Sequence, residues 1–366
     1  MKIAIITGAL PPAKCGVGDY TDILASFLAK KGIEISVITD KKYRLNDASY
    51  NVYSCIEKWH GLLFFKRILH ILREICPDIV HIQYPTISYK WHPEINILPM
   101  LLRLYGYKVV YTLHEYSQRP LLSKIRRWPS ILYSNVVICV ENDFVSDIKR
   151  LPLLFSREKI YEVRIGSNIP HSTNSSLQNV ELRGKIWNNY NGKICSYFGF
   201  INPNKCFDLV IKTMGKLKEN DELHFRLLII SQLSEKDTYQ NQIIELIKQY
   251  KLKDEVKILG YVSKDKVGNY IACSDFGICL FKNGVSPRNG SFLAMYQEHK
   301  TIVTTRSVLI NPVEWNDLIF VENTESDLYE VLSSLQIDKT SHKDNQNIDW
   351  NIIAQKHVEI YKKLLA

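Results

Sequence analysis

Several common chemical anchors are missing from this sequence. Its eight cysteines are scattered, none forms a C-x-x-C pair, and several sit inside apolar runs, as Cys139 and Cys279 do. That speaks against a zinc site or a disulfide framework and for buried free thiols in a reducing compartment. The ten histidines include no H-E-x-x-H and no pair four residues apart, so a histidine-rich metal site is not expected. No apolar stretch approaches the roughly 18 residues of a membrane span, and Arg103 interrupts the best candidate, residues 95–111. The apolar run at 3–7 is too short for a signal peptide, and Pro11-Pro12-Ala13-Lys14 is no cleavage site. The run reads as a first strand.

What is present is an ordinary globular balance, 46% apolar and 23% charged over 366 residues, a length that favours two domains. The charge is uneven. Residues 1–170 hold 23 Lys and Arg against 15 Asp and Glu, and the remainder is close to neutral. A basic first half is a solvated face or a surface for an anionic membrane or polyanion.

Short apolar runs alternate with longer amphipathic segments, the mark of βαβ units and parallel sheets. The first half offers strands at 3–7, 35–39, 79–83, 109–113, 136–140 and 160–165, and helices at about 20–30 and 62–75. Residues 171–179, polar and rich in Ser and Asn, read as a linker. A second set follows, with strands at 193–197, 225–230, 256–259, 276–281 and 301–304 and helices between them. A terminal helix over 350–365 follows the polar run 341–347. The expected domains are 1–170, 171–347 and a C-terminal helix, 348–366, that crosses back to the first.

Three loops fall at the C-terminal ends of strands, where open parallel sheets bind ligands. Residues 283–305 contain N-G-V-S-P-R-N-G-S followed by helical spacing, a loop of small residues with one cation, Arg288, leading to a helix N-terminus. Backbone N–H groups there suit a phosphate. The first loop carries Gly16-Val17-Gly18 but not G-x-G-x-x-G, so a nicotinamide cofactor is not expected. The third, from Gly199 to Cys206, places Lys205 in what reads as the first turn of a helix, where a cation opposes the dipole unless an anion binds. His114 ends the fourth strand and is the best acid/base or hydrogen-bonding candidate; His81 and Gln83 on the preceding strand read as structural.

Together these segments resemble the retaining glycosyltransferases of family 4. P-P-A-K-C-G-V-G-D-Y resembles their N-terminal glycine loop, and G-F-I-N-P-N-K-C-F-D-L-V their donor-phosphate segment. I-L-G-Y-V-S, A-C-S-D-F-G-I-C-L-F and the 283–305 loop resemble their nucleotide-binding half, and D-W-N-I-I-A the start of their last helix. The resemblance spans nearly the whole chain in the right order. It implies an α/β chain of GT-B fold, two Rossmann-like domains facing across a cleft, the first binding acceptor and the second a nucleoside diphosphate sugar. It places Lys205 on the diphosphate, Gly16, Val17, Gly18 and Gly199 along the donor, Tyr261 and Val262 beside the base, and His114 near the transferred sugar. Asp19 and Glu115 fall on the acceptor side. Neither cofactor nor metal is implied, and the sequence has no D-x-D carboxylate pair.

The chain departs from the family in three ways. Phe200 stands where an Arg commonly follows the glycine, and Ser286 and Ala294 occupy the places of two glutamates. His299 and Thr301 replace a glycine and a proline. Ser286, Arg288, Gly290 and Ser291 instead match an S-x-R-x-G-S variant, in which Arg288 supplies charge and Asn289, Gly290 and Ser291 line the donor. Glu298 is either a substitute ribose contact or an exposed helix-end carboxylate. The expected function is metal-independent transfer of a sugar to a glycan or lipid-linked acceptor in bacterial surface polysaccharide assembly. The expected place is the cytoplasm, peripheral at the inner face of the membrane, where Lys66, Arg67, Arg73, Lys124, Arg126 and Arg127 would meet anionic lipid, and no nucleic acid is expected. A sugar-nucleotide 2-epimerase and a non-catalytic nucleotide-sugar-binding homologue are the alternatives.

Overall fold

The structure is a computed structural model describing all residues except 46–47, 152–156, 189 and 338–345. Most of the polar connection expected at 341–347 thus lies outside the described residues. Met1–Asn168 with Gln346–Ala366 forms one compact unit, and Ile169–Asn345 a second.

In the first unit the chain runs β1 (Lys2–Ile6), α1 (Gly16–Lys30), β2 (Glu34–Asp40), β3 (Asn51–Ile56), α2 (Leu62–Ile75), β4 (Ile79–Tyr84) and α3 (Glu94–Leu104). It continues through β5 (Lys108–Leu113), α4 (Leu121–Ile125), α5 (Trp128–Tyr133), β6 (Val136–Cys139), α6 (Asn142–Lys149) and β7 (Ile160–Glu162). Among the described residues its strands pair in parallel in the order β3-β2-β1-β4-β5-β6-β7.

The second unit runs α7 (Ser176–Ile186), β8 (Lys193–Phe198), α8 (Phe207–Glu219), β9 (Phe225–Ile230), α9 (Thr238–Gln249), β10 (Val256–Ile258) and α10 (Lys264–Ala272). Then come β11 (Phe276–Cys279), α11 (Gly290–Gln297), β12 (Thr301–Thr305), β13 (Leu318–Val321) and α12 (Glu325–Ser333). Its strand order, also parallel, is β10-β9-β8-β11-β12-β13. Helix α13 (Trp350–Leu365) returns to the first unit as expected.

Alternation along the strands explains why α13 is needed there. Successive side chains point to opposite faces. Ala4, Ile6, Val80 and Ile82 enter a core shared with Ile68 and Leu72 of α2 and Leu98 of α3. Ile3, Ile5, Val37 and Val110 enter another, covered by Leu24 and Leu28 of α1 and by Ile353, Val358 and Tyr361 of α13. Each large apolar side chain so buried contributes about 1.5–3 kcal/mol. Asp349 caps α13, accepting from the N–H groups of Asn351 at 2.8 Å and Ile352 at 3.1 Å.

Three local expectations are corrected. Helix α1 begins at Gly16, so the glycine pair forms its first turn and not a loop before it. Lys205 lies in a separate 3₁₀ turn, Pro203–Lys205, and α8 starts only at Phe207. The expected linker ends early, because Ser175 and Gln178 form a reciprocal capping box that starts α7 within it.

Candidate functional site

In the first unit, the candidate residues gather where β1 and β5 end. Cys15 precedes α1 in extended conformation and, a thiol being a poor acceptor, supplies no side-chain cap to the first N–H groups of Gly16, Val17 and Gly18. His114 follows β5 and extends its ladder, its N–H donating to the Tyr84 carbonyl at 2.8 Å. Its buried ring pairs through Nε2 with Gln83 Oε1 at 2.9 Å and meets the edge of Tyr20 from α1, ring centres 4.7 Å apart. The structure thus brings His114 to the same helix whose first turn holds the glycines. Asp19 is half-buried in that turn, and Glu115 is ion-paired with Arg119.

Behind His114 runs a buried polar chain whose link to the site residue-type reasoning missed. Gln83 Nε2 lies 3.2 Å from His81 Nε2, which also meets Thr112 Oγ1 at 2.7 Å, while His81 Nδ1 meets the Tyr361 hydroxyl of α13 at 2.6 Å. Burial pushes His81 well below the usual histidine range, so it is a neutral hydrogen-bonding link. Gln83 is structural, as expected, and what it structures is His114. The sequence signal was the polar pair inside an otherwise apolar strand.

In the second unit, Lys205, Gly199 and Ser291 converge. Lys205 Nζ donates to Ser291 Oγ at 3.3 Å and stands 3.9 Å from the centre of the Phe281 ring. Burial lowers its pKa from the ordinary lysine value, a shift that a bound anion would reverse. Gly199 has φ +121°, outside the range of other residues, and a Cβ there would lie 3.3 Å from that of Ser291. The 286–289 turn is self-organised. Ser286 N–H donates to Asn289 Oδ1 at 2.7 Å, Arg288 N–H to Ser286 Oγ at 3.3 Å, and Asn289 N–H to the Ser286 carbonyl at 2.9 Å. Because the Asn289 side chain turns back to Ser286, it makes no cap bond to α11, which starts at the exposed Gly290 and the buried Ser291 beside Lys205. The arrangement is a cationic nest suited to a diphosphate.

Tyr261 and Val262 stand apart from this cluster. They follow β10, the edge strand two places from β8, roughly 10 Å away across the sheet. Tyr261 is largely exposed. Phe200 is exposed too, in the place where the family commonly has Arg.

Glu298 is neither an exposed carboxylate nor open to a ribose. It is buried at the C-terminal end of α11, with Oε1 accepting from Ser172 N–H at 2.8 Å and 3.1 Å from His171 Nδ1. Desolvation there raises its pKa above the usual glutamate value. It pins the start of the second unit to α11. Among the described residues no group of three or more His, Cys, Asp or Glu side chains is placed to hold a metal ion.

Comparison with known proteins places this geometry. A family model for Glycosyltransferase Family 4 matches residues 15–164, and one for Glycosyl transferases group 1 matches residues 181–282. No curated protein sequence matches significantly. Among solved structures, a glycosyltransferase from Rickettsia africae superposes with TM-score 0.76 at 18% identity, covering 100% of this chain and 98% of that one. HepE from Anabaena, in complex with UDP, gives 0.69 at 13%, covering 100% and 98%. A UDP-GlcNAc 2-epimerase from Methanocaldococcus jannaschii gives 0.66 at 13%, covering 99% and 100%, so the fold alone does not separate transferase from epimerase. With a Glycosyltransferase Family 4 segment and a Glycosyl transferases group 1 segment present in order, on two Rossmann-like units of the GT-B type, the chain is similar to family 4 glycosyltransferases.

Proposed function

We propose that the chain transfers a sugar, with retention, from a nucleoside diphosphate sugar to a glycan or lipid-linked glycan, in bacterial surface polysaccharide assembly at the inner face of the cytoplasmic membrane. The observation that carries this reading is the meeting of Lys205, Gly199 and Ser291 at the start of α11, which Asn289 leaves without a side-chain cap. Transfer breaks the bond from the sugar C1 to the diphosphate oxygen, and the electron pair leaves with the diphosphate. Charge grows on the phosphate oxygens as the acceptor hydroxyl oxygen bonds to C1 and passes its proton to the departing phosphate oxygen on the same face. A fixed ammonium and aligned N–H groups stabilise that charge without reorganising. In this reading Lys205, Arg288 and the helix end supply the positive charge, with no need of a metal ion. Ser286 and Asn289 serve the donor, Tyr261 and Val262 the base, and the first unit contributes His114 to the transferred sugar and Asp19 and Glu115 to the acceptor. The complex of HepE with UDP supports a nucleotide donor of the same class.

Thermal shifts with UDP, GDP, ADP and their sugars test donor binding, since a ligand of the folded state alone raises the melting point. Lys205→Ala should lower kcat by about 10²-fold. Unchanged turnover in that variant removes Lys205 from the mechanism. The likeness to an epimerase supports a second reading on the same fold, and conversion of the donor sugar with no acceptor present would establish it in place of transfer.

A further inference from the structure

Charge alone does not account for the surface of the first unit, because some of its most exposed side chains are large and apolar. Leu62 and Leu63 open α2 at 78% exposure each, Trp91 is 79% exposed, and Leu121 and Leu122 of α4 are 68% and 82% exposed. Helix α4 has no buried residue at all, so nothing in the unit's own packing explains its leucines.

These segments are tied into one edge. The Gly61 N–H donates to Glu94 Oε1 at 2.9 Å, and the His60 ring stacks on that of His92 at 4.3 Å, which joins the start of α2 to the turn carrying Trp91. Arg126, just past α4, donates to the Trp91 carbonyl at 3.3 Å and covers the Trp91 ring at 4.8 Å. Lys66 and Arg67 occupy the next exposed turn of α2. Behind the edge opens a pocket of about 180 Å³ with Lys42, Lys58 and Lys90 along it. Its two carboxylates are already engaged, Asp40 by the Trp59 indole N–H and the Lys42 N–H, Glu57 by Lys41.

From this we infer that the edge formed by the start of α2, the Trp91 turn and α4 is a docking surface for an anionic lipid bilayer, into which Leu62, Leu63, Trp91, Leu121 and Leu122 insert while the flanking cations meet headgroups. Protein interfaces deplete lysine and pack apolar groups contiguously. Here protruding aliphatic and Trp side chains alternate with Lys and Arg, the pattern of surfaces that lie in the headgroup boundary. The inference deepens the membrane part of the proposed function, but it is read without donor or acceptor, so the two fail separately.

The test is flotation of the full chain with vesicles of phosphatidylcholine alone or mixed equally with phosphatidylglycerol, alongside Trp emission. Wild type should float with the anionic vesicles at least about tenfold better and show a blue shift that Trp91→Ala removes. Leu62→Ser with Leu63→Ser, and separately Leu121→Ser with Leu122→Ser, should each weaken binding about tenfold while melting point and donor turnover on a water-soluble acceptor stay unchanged. Lys66→Glu with Arg67→Glu should abolish the preference for anionic lipid. Absence of flotation, or flotation indifferent to both leucine pairs, overturns the inference. So does a wild-type dimer in solution that the leucine variants convert to monomer, since the edge would then be covered by a second copy of the chain.

Discussion

Gly16 and Gly18 share one helical turn, yet their surroundings assign them different work. A Cβ on Gly18 would lie 2.9 Å from the Ala9 carbonyl oxygen, so this glycine lets α1 pack against the end of β1. A Cβ on Gly16 would meet nothing within 4 Å. Gly16 is exposed, so a ligand can approach its backbone. Gly18→Ala should therefore cost about 1–3 kcal/mol of stability through overpacking. Gly16→Ala should leave stability unchanged or raise it by up to about 1 kcal/mol, since alanine favours helix. Its cost should appear in catalysis, as a drop of about tenfold or more in donor kcat/KM, equivalent to about 1.4 kcal/mol of transition-state binding. Urea melts and initial rates on the two variants separate packing from ligand approach. A fully active Gly16→Ala enzyme would remove this turn from the site.

At the scale of elements, the N-terminus of α11 makes the sharpest claim, because stability and binding should respond to it in opposite directions. Asn289→Asp keeps an acceptor for the Ser286 N–H, now 2.7 Å from Asn289 Oδ1, and adds a negative charge where the helix dipole favours one. The folded state should gain about 0.3–1 kcal/mol. The same charge occupies the field meant for phosphate, so the thermal shift produced by UDP should shrink. A variant that is more stable and binds nucleotide as well as wild type would show that the anion lies elsewhere. Much of this was readable from residue types: the strand, small-residue loop and helix of 276–297, the terminal helix 350–365, and most inner strands, whose Val and Ile runs admit few alternatives. Other elements gave weaker signals. β3, Asn51–Ile56, is a half-buried edge strand whose Asn, Ser and Cys blur the alternation. α3 carries Pro99 and the buried Asn96, whose Oδ1 accepts from the Tyr111 hydroxyl at 3.2 Å, so its sequence read only as an interrupted apolar run. Glu298 was misread because its partners, Ser172 and His171, lie 126 and 127 positions away in the chain, and no local pattern announces them.

On the scale of the whole molecule, the chain leaves its first unit at Asn168 and returns at Gln346, so that unit is complete only when α13 docks. The docking seam contains a histidine that must stay neutral. His357 is buried against α1, its Nδ1–H donating to the Ile353 carbonyl at 2.8 Å, which leaves Nε2 to accept from the Tyr20 hydroxyl at 3.4 Å. Burial lowers its pKa from 6.5 to about 4. Between those values the unfolded chain binds a proton that the folded chain refuses, so stability falls as pH drops from about 6.5 toward 4, by on the order of 3 kcal/mol in total, and is unaffected above that window. His81, one ring away at 5.8 Å and shifted in the same direction by burial, adds to the slope. The linkage weakens the docking of α13 on the face it covers, over Ile3, Ile5 and Val110. Urea unfolding at pH 7.5 and pH 5, followed through the Trp350 fluorescence that reports its packing on Tyr20 and Phe27, measures this directly. Wild type should lose stability at the lower pH, and His357→Leu, which pays a packing cost at both, should lose distinctly less between them. Equal losses in the two proteins would place the acid sensitivity outside the α1–α13 seam.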